Sequence, residues 1–537
     1  MSRVLYLNGN IYTMDAQVPH AQAMAIDTGS GRILAVGSND DVRRLGGQHA
    51  ELVDLHGRTV VPGFIDAHIH LLATAYRWQR VDASACTSEE EVADLVRARA
   101  ASTPAGQWIQ GGHWDRNTWT QSNFPTRASL DAAAPEHPVA LSSKDGHLLW
   151  VNSRALELAH INVETPDPST GAILRDGSGE PTGILQEADA TTLVFDVITP
   201  PDPQVSRQLL EEALAQLQRS GITTIHDIEG ELSLNIFRQL RDEGKLGVRV
   251  QMIMPRQMLA QLPALGVNNA ENDLLRVGGI KIFADGTLGS QTAAMLHSFE
   301  GSPGNRGILA LPEQEMMDTV RVATEMDLMI AIHAIGDRAA RVALNSIEHA
   351  QRSLLMKQDT TVPFKHLRYR LEHVQLIAPE DLKRMRRLGV IASIQPFHAV
   401  ADRDIAERYW GKRHRHAYAY RTMHDMGIPL AMGSDAPVET FDPLNIIYAA
   451  TIRRDPATKR PPWLPDQALS VVSALGGYTL GAAYAGAEEQ RKGSLTVGKL
   501  GDAVVLRDDI LRVEQEHISE NGVQATILGG QLVYGSV

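Results

Sequence analysis

Val61-Pro-Gly-Phe-Ile-Asp-Ala-His68-Ile-His70 is an apolar run that ends in two histidines one residue apart. In an extended strand alternate side chains share a face, so both imidazoles can point toward one metal ion at the end of the run. The chain has twenty histidines, so one such pair carries little weight alone. Its weight depends on what else falls at strand ends.

The rest of the chain supplies those ends. Between Gly221 and Pro437 apolar strand-like runs alternate with longer amphipathic stretches, the signature of repeated βα units around a parallel sheet. The strand candidates are Ile222–Asp227, Val248–Met254, Gly279–Asp285, Leu328–Ile335, Tyr369–Leu376, Val390–Gln395 and Pro429–Asp435. With Val61–His70 they make eight, and a right-handed (β/α)8 barrel is their natural closure. Helix candidates between them include Glu313–Glu325 and Gln204–Arg219, the latter with Leu209, Leu210, Ala213, Leu214 and Leu217 on one face.

Both ends of the chain read differently. Short strands are expected at Val4–Leu7, Asn10–Met14, Ala21–Asp27, Arg32–Gly37 and Leu52–Val61, and again at Ala503–Arg507, Val513–His517 and Val523–Tyr534. Two such half-modules can pair, which predicts a discontinuous β-sandwich from residues 1–61 and 490–537 around a barrel of residues 62–489. The stretch from Tyr76 to Pro203 is too long for one barrel connection and predicts an inserted α/β subdomain (76–203) after the first barrel strand. It holds a helix near Glu89–Arg99, a strand at Trp108–Gly112, an aromatic loop with Trp114 and Trp119, and Asp145-Gly-His147. Trp114, Trp119 and His147 are its candidates for closing over a substrate, as long barrel loops do.

Composition narrows the class. The 537 residues carry 51 Lys+Arg against 64 Asp+Glu, a formal charge of −13, which opposes binding to nucleic acid or to an anionic membrane and favours a small-molecule substrate. A hydrophobic fraction of 43% and a charged fraction of 21% are ordinary for a soluble globular chain. Cys86, the single cysteine, excludes an internal disulfide and a cysteine-rich zinc site and fits a reducing compartment. The N-terminus lacks a secretory pattern, and no run reaches about 18 consecutive apolar residues. The expected location is the cytoplasm.

The remaining polar candidates also fall near predicted strand ends: Lys281, His333, His373 and Asp435. That is the catalytic face of such a barrel. A lysine inside an apolar strand is costly as an unpaired ammonium, so Lys281 needs a carboxylate partner, a depressed pKa or a covalent change. Asp285, Asp337 and the pair His226 and Asp227 lie near strand ends too and are candidates for orienting ligands. Arg413-His-Arg-His416 repeats the one-residue spacing, but in a polar segment that reads as a solvated helix or loop.

These motifs resemble the amidohydrolase superfamily, and within it the family-3 branch that includes the N-substituted formamide deformylases. The resemblance runs through Asn8-Gly-Asn-Ile-Tyr-Thr-Met-Asp, Pro62-Gly-Phe-Ile-Asp-Ala-His-Ile-His, Lys281-Ile-Phe-Ala-Asp-Gly-Thr-Leu-Gly-Ser, His333-Ala-Ile-Gly-Asp-Arg-Ala, Leu371-Glu-His, Gly433-Ser-Asp-Ala-Pro and Lys492-Gly-Ser-Leu-Thr-Val-Gly-Lys-Leu-Gly-Asp-Ala-Val-Val-Leu. It implies two divalent metal ions: His68, His70 and Asp435 on one, His333 and His373 on the other, and a carboxylated Lys281 bridging them. Zn²⁺ suits these donors, which also accept Mn²⁺, Fe²⁺ or Co²⁺. The implied reaction is hydrolysis of a C–N bond in an amide or an N-formyl or N-acyl small molecule, by attack of a metal-bound hydroxide with Asp435 as general base. A homodimer is implied as well. One alternative is deamination of a cyclic amidine, but deaminases of the superfamily carry a glutamate three residues after the fifth-strand histidine, whereas His333 is followed by Asp337 four residues on. Another, a non-catalytic metabolite-binding barrel, is opposed by the full ligand set.

Overall fold

A computed structural model describes residues 3–46, 49–116, 119–120, 123–143, 148–168, 171–198, 201–267, 273–289, 291–356 and 366–537. Strands buried on both faces are near-continuous apolar runs, and the eight candidate runs form one parallel sheet. Its strands are β1 (Phe64–Ile69), β2 (Ile222–Asp227), β3 (Arg249–Pro255), β4 (Leu275–Phe283), β5 (Met329–Ala334), β6 (Tyr369–His373), β7 (Ile391–Ile394) and β8 (Leu430–Met432). Each pairs with the next in chain order. The sheet nearly closes just beyond β8, where Asp435 N–H donates to His68 O at 2.7 Å and His70 N–H to Ala436 O at 2.9 Å. Gly433 allows this approach, since a Cβ there would lie 2.5 Å from the His68 backbone nitrogen.

Several of the expected strands change their limits: Gly279–Asp285, for one, becomes Leu275–Phe283, and for two others the reason is visible. Val61–His70 is two strands, Thr59–Pro62 and β1, broken at Gly63. A Cβ on Gly63 would sit 2.2 Å from Thr223 Oγ1. β6 stops earlier than expected because His373 takes positive φ, 74°, a conformation that cannot continue a ladder, whereas β8 ends at Met432, opposite Ile394, the last residue of β7.

The terminal segments build two sheets. One has the order Arg32–Gly37, Ala23–Asp27, Arg3–Leu7, Glu51–Asp54; the other runs Gln531–Gly535, Val523–Leu528, Ala503–Leu506, Thr59–Pro62, Asn10–Tyr12, His20–Ala21. Side chains from both sheets share one core, including Val4, Met24, Ile26, Val60, Val505 and Ile527. Three expectations fail here. Leu52–Val61 is two strands in different sheets, Glu51–Asp54 and Thr59–Pro62, with His56 and Gly57 between them at positive φ. Val513–His517 is no strand: Asp509 turns the chain, its side chain accepting Leu511 N–H at 3.0 Å and its carbonyl Val513 N–H at 2.7 Å, and a 3-10 helix follows at Gln515–Glu520. Val523–Tyr534 is a hairpin that turns at Gly529 and Gly530, both at positive φ.

A separate compact unit spans Ala75–Ser206, close to the expected insertion. Its six-stranded sheet includes Ile109–Trp114. Its helix Glu89–Ala100 is capped by Ser88, which accepts Glu91 N–H. Among the described residues no helix is long and apolar enough to cross a membrane.

Arg249 at the start of β3 and Asp502 form a buried bidentate pair at 2.7 and 2.8 Å, and Asp502 also accepts Gly529 N–H at 2.8 Å. Removing one member strands the other charge, at a cost of about 3–5 kcal/mol. Asp502→Ala is therefore expected to lower stability by about that amount, read from urea unfolding midpoints against the parent chain.

Candidate metal centre

β1 delivers His68 and His70 to the barrel mouth on one face, and β8 runs into Asp435. Asp435 Oδ1 lies 3.2 Å from His68 Nε2 and 3.3 Å from His70 Nε2, while Oδ2 lies 3.6 Å from His398 Nε2 and 4.0 Å from His373 Nδ1. One carboxylate thus faces four imidazoles. The His333 and His373 rings are 4.5 Å apart and those of His68 and His373 5.0 Å. Lys281 Nζ is 3.2 Å from His68 Nε2. The six sequence-predicted residues meet at one place, and the sets His68, His70, Asp435 and His373, His398, Asp435 each have the spacing a metal ion requires.

Hydrogen bonds behind the rings decide what the front presents. His68 Nδ1 is 2.6 Å from Glu372 Oε2, His70 Nδ1 is 2.7 Å from Ile228 O, and His333 Nε2 is 3.0 Å from Gly286 O. In each pair the oxygen only accepts, so the ring nitrogen carries the proton and the other nitrogen is a lone pair. His68 and His70 consequently aim lone pairs at a carboxylate oxygen. Acceptors facing acceptors call for a cation between them, and the buried His373 Nδ1 has no hydrogen-bond partner among the described residues. The donor set fits a divalent cation.

Electrostatics agree with that fit. Burial works against the Asp435 charge, but the surrounding imidazoles, His68 foremost, hold its carboxyl well below the usual range. Burial lowers His373 well below the ordinary imidazole value, with neighbouring His333 adding to it, and brings His333 down to about 3, with Lys281 adding to it. Both rings are neutral and able to ligate. Burial also brings Lys281 down to about 8, against the pull of Glu372 and Asp435.

The flanking candidates hold the frame. Asp285 accepts Ile335, Gly336 and Ala294 N–H at 3.1, 2.8 and 2.9 Å and lies 3.5 Å from His333 Nε2. Asp227 accepts Leu71 N–H at 2.9 Å, and Asp337 accepts Leu296 N–H at 2.7 Å. His226 Nδ1 faces Arg370 Nη1 at 3.0 Å. Arg413 to His416 lie in a 3-10 helix, with Arg413 donating to the His297 and Ser298 carbonyls. In the insertion, Trp114 has no exposed surface: its indole donates to Leu141 O at 2.9 Å and its ring packs with Trp119 and Trp150. Its surface is taken up by a core rather than offered to a ligand, and Trp119 is buried in the same cluster. His147 lies outside the described residues.

Three participants were missed. Arg370 and Glu372 on β6 are fully buried and paired at 2.8 Å, and Arg370 also donates to Ala67 O and Ser393 Oγ. The signal was present, since two opposite charges two residues apart in a strand of a closed barrel share the interior face and must pair. His398 had no such signal, because it stands on the short helix Pro396–Ala401 beyond β7.

Comparison with known proteins meets this geometry. The amidohydrolase family profile matches residues 51–534. The chain belongs to the amidohydrolase family, enzymes that hydrolyse carbon–nitrogen bonds other than peptide bonds. Similar proteins include Protein LONG AFTER FAR-RED 3 of Arabidopsis thaliana, 31% identical over 99% of this chain and 91% of that one, and the N-substituted formamide deformylase of Arthrobacter pascens, 30% identical over 99% and 98%. Among solved structures, an uncharacterized metal-dependent hydrolase from Pyrococcus furiosus is 28% identical, with TM-score 0.78 over 95% of this chain and 100% of that one.

Two tests follow from the hydrogen-bond frame. Glu372→Gln loosens the His68 orientation and is expected to weaken divalent-metal affinity about 10–100-fold with the circular dichroism unchanged, as read by competition titration against a chromophoric chelator. His226, His333 and His373 have folded pKa values below their ordinary 6.5, so below that pH the unfolded chain binds protons that the folded chain refuses. Their stabilising contribution is complete above pH 6.5 and is lost as pH falls toward the folded values. Urea midpoints of the chelator-treated protein are expected to drop from pH 7 to 6 to 5.

Proposed function

We infer that this protein is a hydrolase using two divalent cations, Zn²⁺ first among those the donors suit, that opens the C–N bond of a small N-formyl or N-acyl amine. The observation that carries the reading is Asp435, whose two oxygens face different imidazole sets, His68 and His70 on one side and His373 on the other. His68, His70 and Asp435 would hold one cation, and His333 and His373 the second. Lys281, as a carbamate, would bridge them. Its Nζ forms that group by adding to CO₂ and releasing a proton, which requires free amine; a pKa of about 8 leaves roughly a tenth of it unprotonated at pH 7. Cations in these positions supply Lewis acidity, polarising a substrate carbonyl and acidifying water.

The chain's own groups do the rest. Asp435, held anionic by its imidazoles, accepts the proton of the attacking water through Oδ2 and passes it to the departing nitrogen as the carbonyl carbon–nitrogen bond breaks. The Glu372–His68 hydrogen bond and the Asp285 anchor behind His333 keep the rings from turning during that transfer. The formamide deformylase among the relatives supports N-formyl amines as the first substrates to try.

Chelation is expected to abolish turnover of an N-formyl and N-acyl amine panel, and about two equivalents of Zn²⁺ or Mn²⁺ per chain to restore it. Asp435→Asn is expected to lower kcat by at least about 10²–10⁴-fold. One cation per chain with ammonia released from cyclic amidines would instead mark a deaminase.

A further inference from the structure

We propose that His398 is a catalytic residue that binds the substrate's carbonyl oxygen through an imidazole N–H. The proposal rests on the hydrolase reading above and adds to it the group that fixes the substrate. His398 Nε2 lies 3.6 Å from Asp435 Oδ2, too far for a hydrogen bond, and it is buried without a partner. Leaving a polar atom in that state costs about 1–3 kcal/mol, a cost recovered when a ligand supplies the missing partner.

Its placement separates it from the other histidines. His68, His70, His333 and His373 sit on barrel strands or within one residue of their ends, whereas His398 rides the helix Pro396–Ala401 that follows β7, in the connections where barrels make their substrate contacts. Its ring lies parallel to that of His373 at 7° and 5.9 Å. The ring beneath would face a cation, and the ring above would face whatever that cation holds. Asp402, just past the helix, interacts electrostatically with His398 and is itself fixed by Tyr418 OH at 2.6 Å. The buried helix face, with Pro396 and Ala399, keeps His398 from swinging away. An N–H held in this way over Asp435 can reach a carbonyl oxygen whose carbon is within reach of a water that Asp435 deprotonates. As charge builds on that oxygen the hydrogen bond strengthens, which is how such donors accelerate acyl transfer.

The test compares His398→Phe and His398→Asn with the parent protein, measuring metal per chain by mass spectrometry and kcat and KM separately on the N-formyl and N-acyl amine panel. The phenylalanine variant is expected to keep the parent's metal content and fold while kcat falls about 10²–10³-fold, the range for loss of one such donor. Asparagine, which retains an N–H donor, should recover part of that loss. A variant that loses one equivalent of metal would make His398 a ligand and overturn the proposal, as would unchanged kcat in both variants. Failure of the parent protein itself to turn over any panel member would overturn the hydrolase reading and this proposal with it.

Discussion

Three of the four imidazoles that a cation would need at the barrel mouth are constrained by what the other nitrogen does. Glu372 fixes His68, the Ile228 carbonyl fixes His70, and the Gly286 carbonyl fixes His333. Without those bonds each ring has two tautomers and two flips, and the inward lone pairs would be an average rather than a set. The barrel's role is to place oxygen acceptors behind the rings. The backbone carbonyls cost nothing extra, since they follow from where β2 and β4 end. Glu372 is the expensive one, because a carboxylate with no exposed surface needs Arg370 to exist as an anion. Arg370 in turn is satisfied by Ala67 and Ser393, residues of β1 and β7. The interior ion pair therefore ties three strands to the orientation of one histidine.

Much of this was legible in the sequence. The barrel strands are runs of apolar residues with sharp polar ends, so their existence and order followed from pattern alone, and ligands at strand ends followed from the shape of the fold. What escaped was decided by contacts remote in sequence. Gly63 divides what reads as one strand because Thr223 crowds it, and nothing near Gly63 announces Thr223. The left-handed turn at His373 that ends β6 belongs to a residue with no local turn signal. Trp114 reads as a loop aromatic, yet Trp119 and Trp150 draw it into a core. His398 was invisible for a different reason: its helix begins after a strand of four residues, and its role depends on a ring parallel to its own that sits on the neighbouring strand.

The environment of Asp435 carries an internal tension. Burial alone would protonate it, and the four nearby imidazoles prevent that only while they supply positive polarity. Burial also removes charge from His373, one of the four, and from His333 beside it. A centre in which neutral donors and one anion converge is short of positive charge. Lys281, brought down to about 8, is still mostly ammonium at pH 7, and conversion to a carbamate would remove that charge as well.

The strand that presents His68 and His70 continues, through Gly63, from Thr59–Pro62, and that segment pairs with Ala503–Leu506 near the other end of the chain. A ribosome adding about 5–20 residues per second takes roughly half a minute to two minutes between start and finish of a chain this long. During nearly all of that time the first histidines exist without the strand that anchors their base. Asp435, the last of the candidate ligands, precedes that partner strand in the chain, so the full donor set is on hand before the base of the first strand is anchored.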